Sequence, residues 1–184
     1  MVINLVKIKI ENVVASAPLG TTLDLEAVTK VLNGEYNKER FPGIIYRVKE
    51  PKTATLLFRS GKIVCTGARS IEDIYKAISI IVERLNKAGF KMNKKPDITI
   101  QNIVATYDLG TNLNLNTIAL TLGFERIEYE PEQFPGLVYR MDEPKLVLLI
   151  FGSGKIVCTG ARTTEDIEKS ISIIEDELKG VGLI

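Results

Sequence analysis

Few residues in this chain could run a reaction. It contains no histidine, so the commonest general base and the commonest metal ligand are both missing. Gly152-Ser153-Gly154-Lys155 has the look of a phosphate-binding loop. The full pattern also needs glycine at 149 and a hydroxyl at 156, and the chain has Leu149 and Ile156 there. The two cysteines, Cys65 and Cys158, stand at equivalent positions of a repeat. They read as buried strand residues rather than a disulfide, which fits a reducing compartment. The chain is therefore expected not to be an enzyme and to need no cofactor.

What the sequence offers instead is groups that bind, and it offers them twice. Ser60 to Arg69 recurs residue for residue as Ser153 to Arg162, at an offset of 93. Ten identical residues at that distance mark a duplication. Ile10 to Ser16 returns as Ile100 to Thr106 at an offset of 90, and Phe41-Pro42-Gly43 returns as Phe134-Pro135-Gly136 at an offset of 93. Three residues are therefore inserted in the second copy between the two motifs, near Gly123 to Ile127. The repeats divide as 1–93 and 94–184, with Lys91 to Pro96 as the short link.

The elements that must position these groups follow from local pattern. Each copy begins with a β-branched strand, Lys7 to Ser16 and its counterpart through Thr106. A short helix follows, capped by Thr22 or Asp24 and ended by Asn33-Gly34, with Leu25, Val28 and Leu32 on one face. Three strands come next, Ile44 to Lys49, Thr53 to Arg59 and Lys62 to Thr66, joined by Glu50-Pro51-Lys52 and Ser60-Gly61. A long helix closes each copy, about Ser70 to Ala88 and Thr163 to Lys179, with acidic residues in its first turn. This order predicts an α+β fold in which an antiparallel sheet is covered by helices on one face. The short link predicts one fused pseudo-twofold domain with a continuous sheet.

Both faces of these strands are largely apolar, yet each copy has helix enough for only one. Lys62, Val64 and Thr66 share a face opposite Ile63 and Cys65, and Asn12, Val14 and Ser16 oppose Val13 and Ala15. The uncovered face mixes Val, Leu, Phe, Thr and Asn, with Arg40, Arg47, Lys62, Arg69, Arg140, Lys155 and Arg162 at its edges. No Asp/Glu pair recurs on it. An exposed apolar face marks a binding site. An apolar centre, neutral hydrogen-bonding groups and a basic rim suit a nucleic-acid minor groove. The alternative is a protein-only interaction module in which the same face takes a peptide or helix.

The chain resembles the TATA-box-binding proteins in their short, archaeal-type form. The motifs are Gln101 to Thr106, Phe134 to Met141, Glu143-Pro144-Lys145, Leu148 to Phe151 and Ser153 to Gly160, recurring with small changes in the first copy. The resemblance spans essentially the whole chain. It implies a saddle, with a curved sheet on double-stranded A/T-rich promoter DNA and helices on the convex back. It assigns wedge roles to Phe41, Phe58, Phe134 and Phe151, which kink the duplex; the bend is a property of that family, not a deduction from these residues. It puts Asn12 and Asn102 at the base edges with Thr66 and Thr159 beside them. Val14, Leu56, Val64, Val104, Leu149 and Val157 line the groove, and the seven rim cations become phosphate contacts. Departures are mild: Ser16 answers Thr106, and Pro42 stands where eukaryotic relatives have a small residue.

A net charge of +1 hides an asymmetry. Residues 1–90 balance at +5 and residues 91–184 at −4, so the copies are expected to meet different partners. The acidic run Glu128 to Gln133 precedes the second Phe-Pro-Gly. By the resemblance this loop docks transcription factor B, with Glu130, Glu132 and Gln133 as contacts, and through it RNA polymerase. A free apolar sheet face could also pair two copies into a homodimer. No apolar run is long enough to span a bilayer, and Met1 to Lys7 lacks a secretory signal. The expected place is the cytoplasm, in the archaeal nucleoid, or the nucleus if the source is eukaryotic.

Overall fold

The structure is a computed structural model that describes residues 8–184. Lys7 and the start Met1 to Lys7 lie outside the described residues. By contact density the chain forms two compact units. One is Asn12–Gln101; the other is Asn102–Ile184 together with the described residues 8–11.

In the first unit the elements are β1 (Lys9–Pro18, most of it in this unit), α1 (Leu25–Leu32), β2 (Glu35–Tyr36), β3 (Gly43–Val48), β4 (Thr53–Phe58), β5 (Lys62–Ala68) and α2 (Ile71–Lys87). The strands are antiparallel in the order β2-β3-β4-β5-β1. Alternation sends Val13, Ala15, Ala17, Ile44, Leu57, Ile63 and Cys65 into the buried layer. Ile74, Ala77, Ile78, Ile81, Val82 and Leu85 of α2 meet that layer, as do Leu25, Val28 and Leu32 of α1. Of the two proposed caps, Asp24 is the one used: its Oδ1 accepts from the amides of Glu26 and Ala27 at 3.1 and 3.2 Å. Asn33 ends α1 in the left-handed conformation, and Ser70 caps α2.

The second unit repeats this with β6 (Thr99–Asp108, mostly here), α3 (Leu115–Leu122), β7 (Ile127–Glu128), β8 (Leu137–Met141), β9 (Leu146–Ile150), β10 (Lys155–Ala161) and α4 (Thr164–Gly180). The order is β6-β10-β9-β8-β7, again antiparallel. Ile103, Ala105, Tyr107, Leu137, Tyr139, Leu148, Ile156 and Cys158 face the helix layer with Ile167, Ile171, Ile174 and Leu178. Thr163 and Asp166 form a reciprocal capping box on α4. The α+β expectation with antiparallel strands holds in both units.

The long helices fall within one residue of the bounds read from the sequence, but the strand read as Lys62 to Thr66 does not stop at Thr66, nor its counterpart at Thr159. They run on to Ala68 and Ala161 through a bulge. Gly67 and Gly160, at φ +88° and +97°, supply a conformation that other residues rarely adopt, so a residue that reads as a strand end carries the strand onward.

Both cysteines are free and buried, as their repeated position suggested. Burial pushes each thiol up to about 11. No helix of the described residues is long and apolar enough to cross a membrane.

Candidate nucleic-acid interface

The strand face away from the helices is the candidate site. In the first unit it presents Asn12 and Val14 from β1, Leu56 and Phe58 from β4, and Lys62, Val64 and Thr66 from β5, with Phe41 just before β3. In the second it presents Asn102, Val104 and Thr106 from β6, Leu149 from β9, and Lys155, Val157 and Thr159 from β10, with Phe134 and Phe151 at the strand ends. The apolar members of this face are partly exposed, whereas the alternate residues of the same strands are buried. Period-2 reasoning therefore separates the two faces correctly.

The same alternation adds residues that the sequence reading left out. Ile45 in the first unit, and Val138 and Val147 in the second, are half-buried on this face. Cross-strand register puts Ile45 opposite Leu56, and Val138 opposite Leu149. Period 2 along β3, β8 and β9 marks these positions, but those strands carry apolar residues on both faces, so the pattern alone does not say which face is open.

The phenylalanines stand in two pairs. Phe41 and Phe58 meet edge to face with ring centroids 5.7 Å apart, and Phe134 and Phe151 do the same at 5.9 Å. Edge to face is a preferred arrangement of two aromatic rings. Under each pair lies the glycine of the Phe-Pro-Gly motif. A Cβ on Gly43 would come within 3.1 and 3.2 Å of the Phe41 and Phe58 rings, and one on Gly136 within 2.7 and 3.0 Å of the Phe134 and Phe151 rings. The motif reads locally as a turn; in the fold its glycine is the seat on which two rings rest. Phe134 is 38% exposed.

Asn12 and Asn102 are half-buried mid-strand residues. Asn12 Oδ1 accepts from the Gly67 amide at 2.7 Å, and Asn102 Oδ1 accepts from the Gly160 amide at 2.7 Å. Thr66 Oγ1 lies 3.4 Å from Asn12 Nδ2. Ser16 and Thr106 are also engaged: Gln101 Nε2 donates to Ser16 Oγ at 3.0 Å and Thr106 Oγ1 donates to Glu11 Oε1 at 3.1 Å.

The rim cations Arg40, Arg47, Lys62, Arg69, Lys155 and Arg162 are exposed, and none pairs with an acid among the described residues. Arg140 differs. Its guanidinium donates to both carboxylate oxygens of Glu128 at 3.0 and 3.4 Å. The hydrogen bonds and charge of Arg140 hold the Glu128 carboxyl below the usual range. Glu130, Glu132 and Gln133 are exposed on the turn before Phe134, where the amides of Gln133 and Phe134 both donate to the Glu130 carbonyl at 2.9 Å.

The halves also differ behind the sheet. In the second unit the Tyr139 hydroxyl donates to Glu177 at 2.8 Å and the Tyr107 hydroxyl donates to Glu175. In the first unit Tyr46 accepts from Arg84, as Tyr139 does from Arg126 at 3.3 Å, but donates to no carboxylate among the described residues.

Comparison with known proteins follows the duplication. The family described as transcription factor TFIID, or TATA-binding protein, matches twice, over residues 7–88 and 97–181. A TATA-box-binding protein of Picrophilus torridus is 57% identical over 97% of each chain. One of Archaeoglobus fulgidus is 53% identical over 97% of this chain and 98% of its own. The solved structure of the Methanococcus jannaschii TBP superposes with a TM-score of 0.88 at 52% identity, covering 95% of this chain and 99% of that one.

Proposed function

The chain belongs to the TATA-box-binding protein family, and on that premise we propose that it is a general transcription initiation factor acting through the minor groove of A/T-rich promoter DNA. As a member of that family it is a DNA-binding transcription factor and not an enzyme. The proposal is that the repeats 1–93 and 94–184 form one pseudosymmetric domain, each laying its open face along half of the element.

The observation that carries this reading is the duplicated phenylalanine pair, held edge to face on a glycine seat at the end of an apolar face. An aromatic pair at a strand end can enter a base step and unstack it, and the bent duplex then follows the sheet. Asn12, Asn102, Thr66 and Thr159 meet base edges. Val14, Leu56, Val64, Val104, Leu149 and Val157 fill the groove floor, and Ile45 and Val138 extend that surface. Arg40, Arg47, Lys62, Arg69, Lys155 and Arg162 are free to take phosphates; Arg140 does so by exchanging Glu128 for a phosphate.

The proposed downstream partner is transcription factor B, docking on Glu130, Glu132 and Gln133 and bringing RNA polymerase. Off DNA, the same apolar face pairs two copies. The proposed place of action is the archaeal nucleoid.

The test is a gel-shift and fluorescence-bend series on a TATA duplex and a G/C-rich duplex of equal length. Wild type is expected to prefer and bend the TATA duplex, with affinity falling steeply as salt rises. Phe151→Ala is expected to lose most of the bend. Equal bending by Phe151→Ala would remove the wedge role. Equal binding to both duplexes would favour a protein-only module.

A further inference from the structure

The two asparagines on the open face are not free to choose which end of the amide they present. Val13 pairs with Ala68 while Ala15 pairs with Cys65, so Thr66 and Gly67 together oppose Val14. In the second unit Ile103 pairs with Ala161 and Ala105 with Cys158, so Thr159 and Gly160 together oppose Val104. A bulge of this kind inserts one residue and disrupts the regular ladder. In both units the amide at that point donates to an asparagine Oδ1 at 2.7 Å. A backbone N–H can only donate, so the atom it meets is the amide oxygen and not the nitrogen. The orientation of each side chain is thereby set by chemistry. Turning either amide over would bring NH2 against N–H, losing a hydrogen bond and setting two donors face to face.

We propose that the backbone amides of Gly67 and Gly160 are positioning groups, which hold Asn12 and Asn102 with the NH2 end available to DNA and so make the site reject base pairs that carry an amino group in the minor groove. The inference rests on the minor-groove reading above and deepens it. A·T and T·A pairs show only acceptors there, whereas G·C adds the guanine N2 donor. An asparagine able to turn over would accept from that donor and would tolerate G·C. One locked by the bulge cannot. Discrimination against guanine then comes from a backbone group that touches no base. In the first half the Thr66 hydroxyl also lies beside this amide, 3.4 Å from Asn12 Nδ2 and 3.5 Å from Asn12 Oδ1.

The experiment uses the full chain and three duplexes that differ at one central pair: A·T, inosine·C, which has the same minor-groove acceptors, and 2,6-diaminopurine·T, which adds the N2 amino group to adenine. Wild type is expected to bind the first two alike and the third about tenfold or more weakly. Replacing the Gly160 amide by an ester through incorporation of glycolic acid removes the N–H and keeps the shape. That variant is expected to bend the A·T duplex as wild type does while its diaminopurine penalty shrinks below about threefold. Asn102→Asp is the second variant, because it keeps an oxygen on the Gly160 amide and puts another oxygen where the NH2 was. It is expected to bind all duplexes more weakly yet to lose the penalty. A penalty of wild-type size in both variants overturns the positioning role while leaving DNA binding intact. Wild type with no preference among TATA, G/C and diaminopurine duplexes overturns the minor-groove reading, and this inference with it.

Discussion

The ring of Phe134 stands edge-on to that of Phe151, centroids 5.9 Å apart and planes at 68°, above the bare Cα of Gly136. The Phe41–Phe58 pair has the same relationship to Gly43.

The two seats are expected to respond differently to a methyl group. On Gly136 the nearest atoms to a new Cβ are ring carbons of Phe134 and Phe151, which can swing outward. On Gly43 the nearest is the Leu57 carbonyl oxygen at 2.8 Å, which is backbone and cannot. Gly136→Ala is therefore expected to fold with little loss and to lose DNA bending, because the rings are displaced. Gly43→Ala should lose about 1–3 kcal/mol of stability, as overpacking does. Chemical denaturation paired with a fluorescence-bend assay separates the two; equal destabilisation would show that the rings are fixed as firmly as the backbone.

Glu128 occupies the one rim cation that already has a partner, Arg140. The pair is exposed, so removing it should leave thermal stability unchanged. Glu128→Gln frees the guanidinium for phosphate without first breaking a bond. DNA affinity is expected to rise, while the slope of binding against salt stays at the wild-type value, because Arg140 reaches phosphate in both proteins. An affinity equal to wild type would mean that Arg140 never reaches phosphate.

Burial and the Glu177 carboxylate raise the Tyr139 hydroxyl to about 12, and burial and Glu175 raise that of Tyr107 to about 12. A free tyrosine ionises near 10. Between these values the unfolded chain gives up protons that the folded chain keeps. The contribution is full below about pH 10 and is lost as pH rises through about 12. Spectrophotometric titration of the native protein is expected to show these two tyrosines ionising late. Tyr139→Phe should flatten the fall in stability across that window.

Cys65 and Cys158 are buried, with thiols raised to about 11. Only the thiolate attacks a disulfide reagent, so both cysteines should be silent toward Ellman's reagent at pH 8 in the folded protein. Both should react once denaturant unfolds it. Prompt reaction of either thiol in buffer would show that its half opens locally far below the global unfolding free energy.

Much of this was legible in the residues alone. The duplication, the starts of the long helices near Ser70 and Thr163, the two faces of Lys62 to Thr66 and the inward-pointing cysteines are local facts. They depend on identity over ten residues, on spacing of two or about 3.6, and on cap residues a few positions from the amides they receive. The family resemblance added the roles of the four phenylalanines and the two asparagines.

What the local pattern could not reach is what those residues rest on. Asn12 and Gly67 are 55 positions apart, and Asn102 and Gly160 are 58 apart. Only strand pairing, with its one-residue slip, brings a bulge amide under each asparagine oxygen. Phe-Pro-Gly reads as a turn by composition, and becomes a ring seat only when the end of the neighbouring strand supplies Phe58 or Phe151. Arg140 counts as a free cation in the sequence, and is engaged because β7 runs beside β8. Local chemistry along the chain determined which residue types stand on which face. Register between distant strands decided which atoms of those residues are already bonded and which remain to meet a partner.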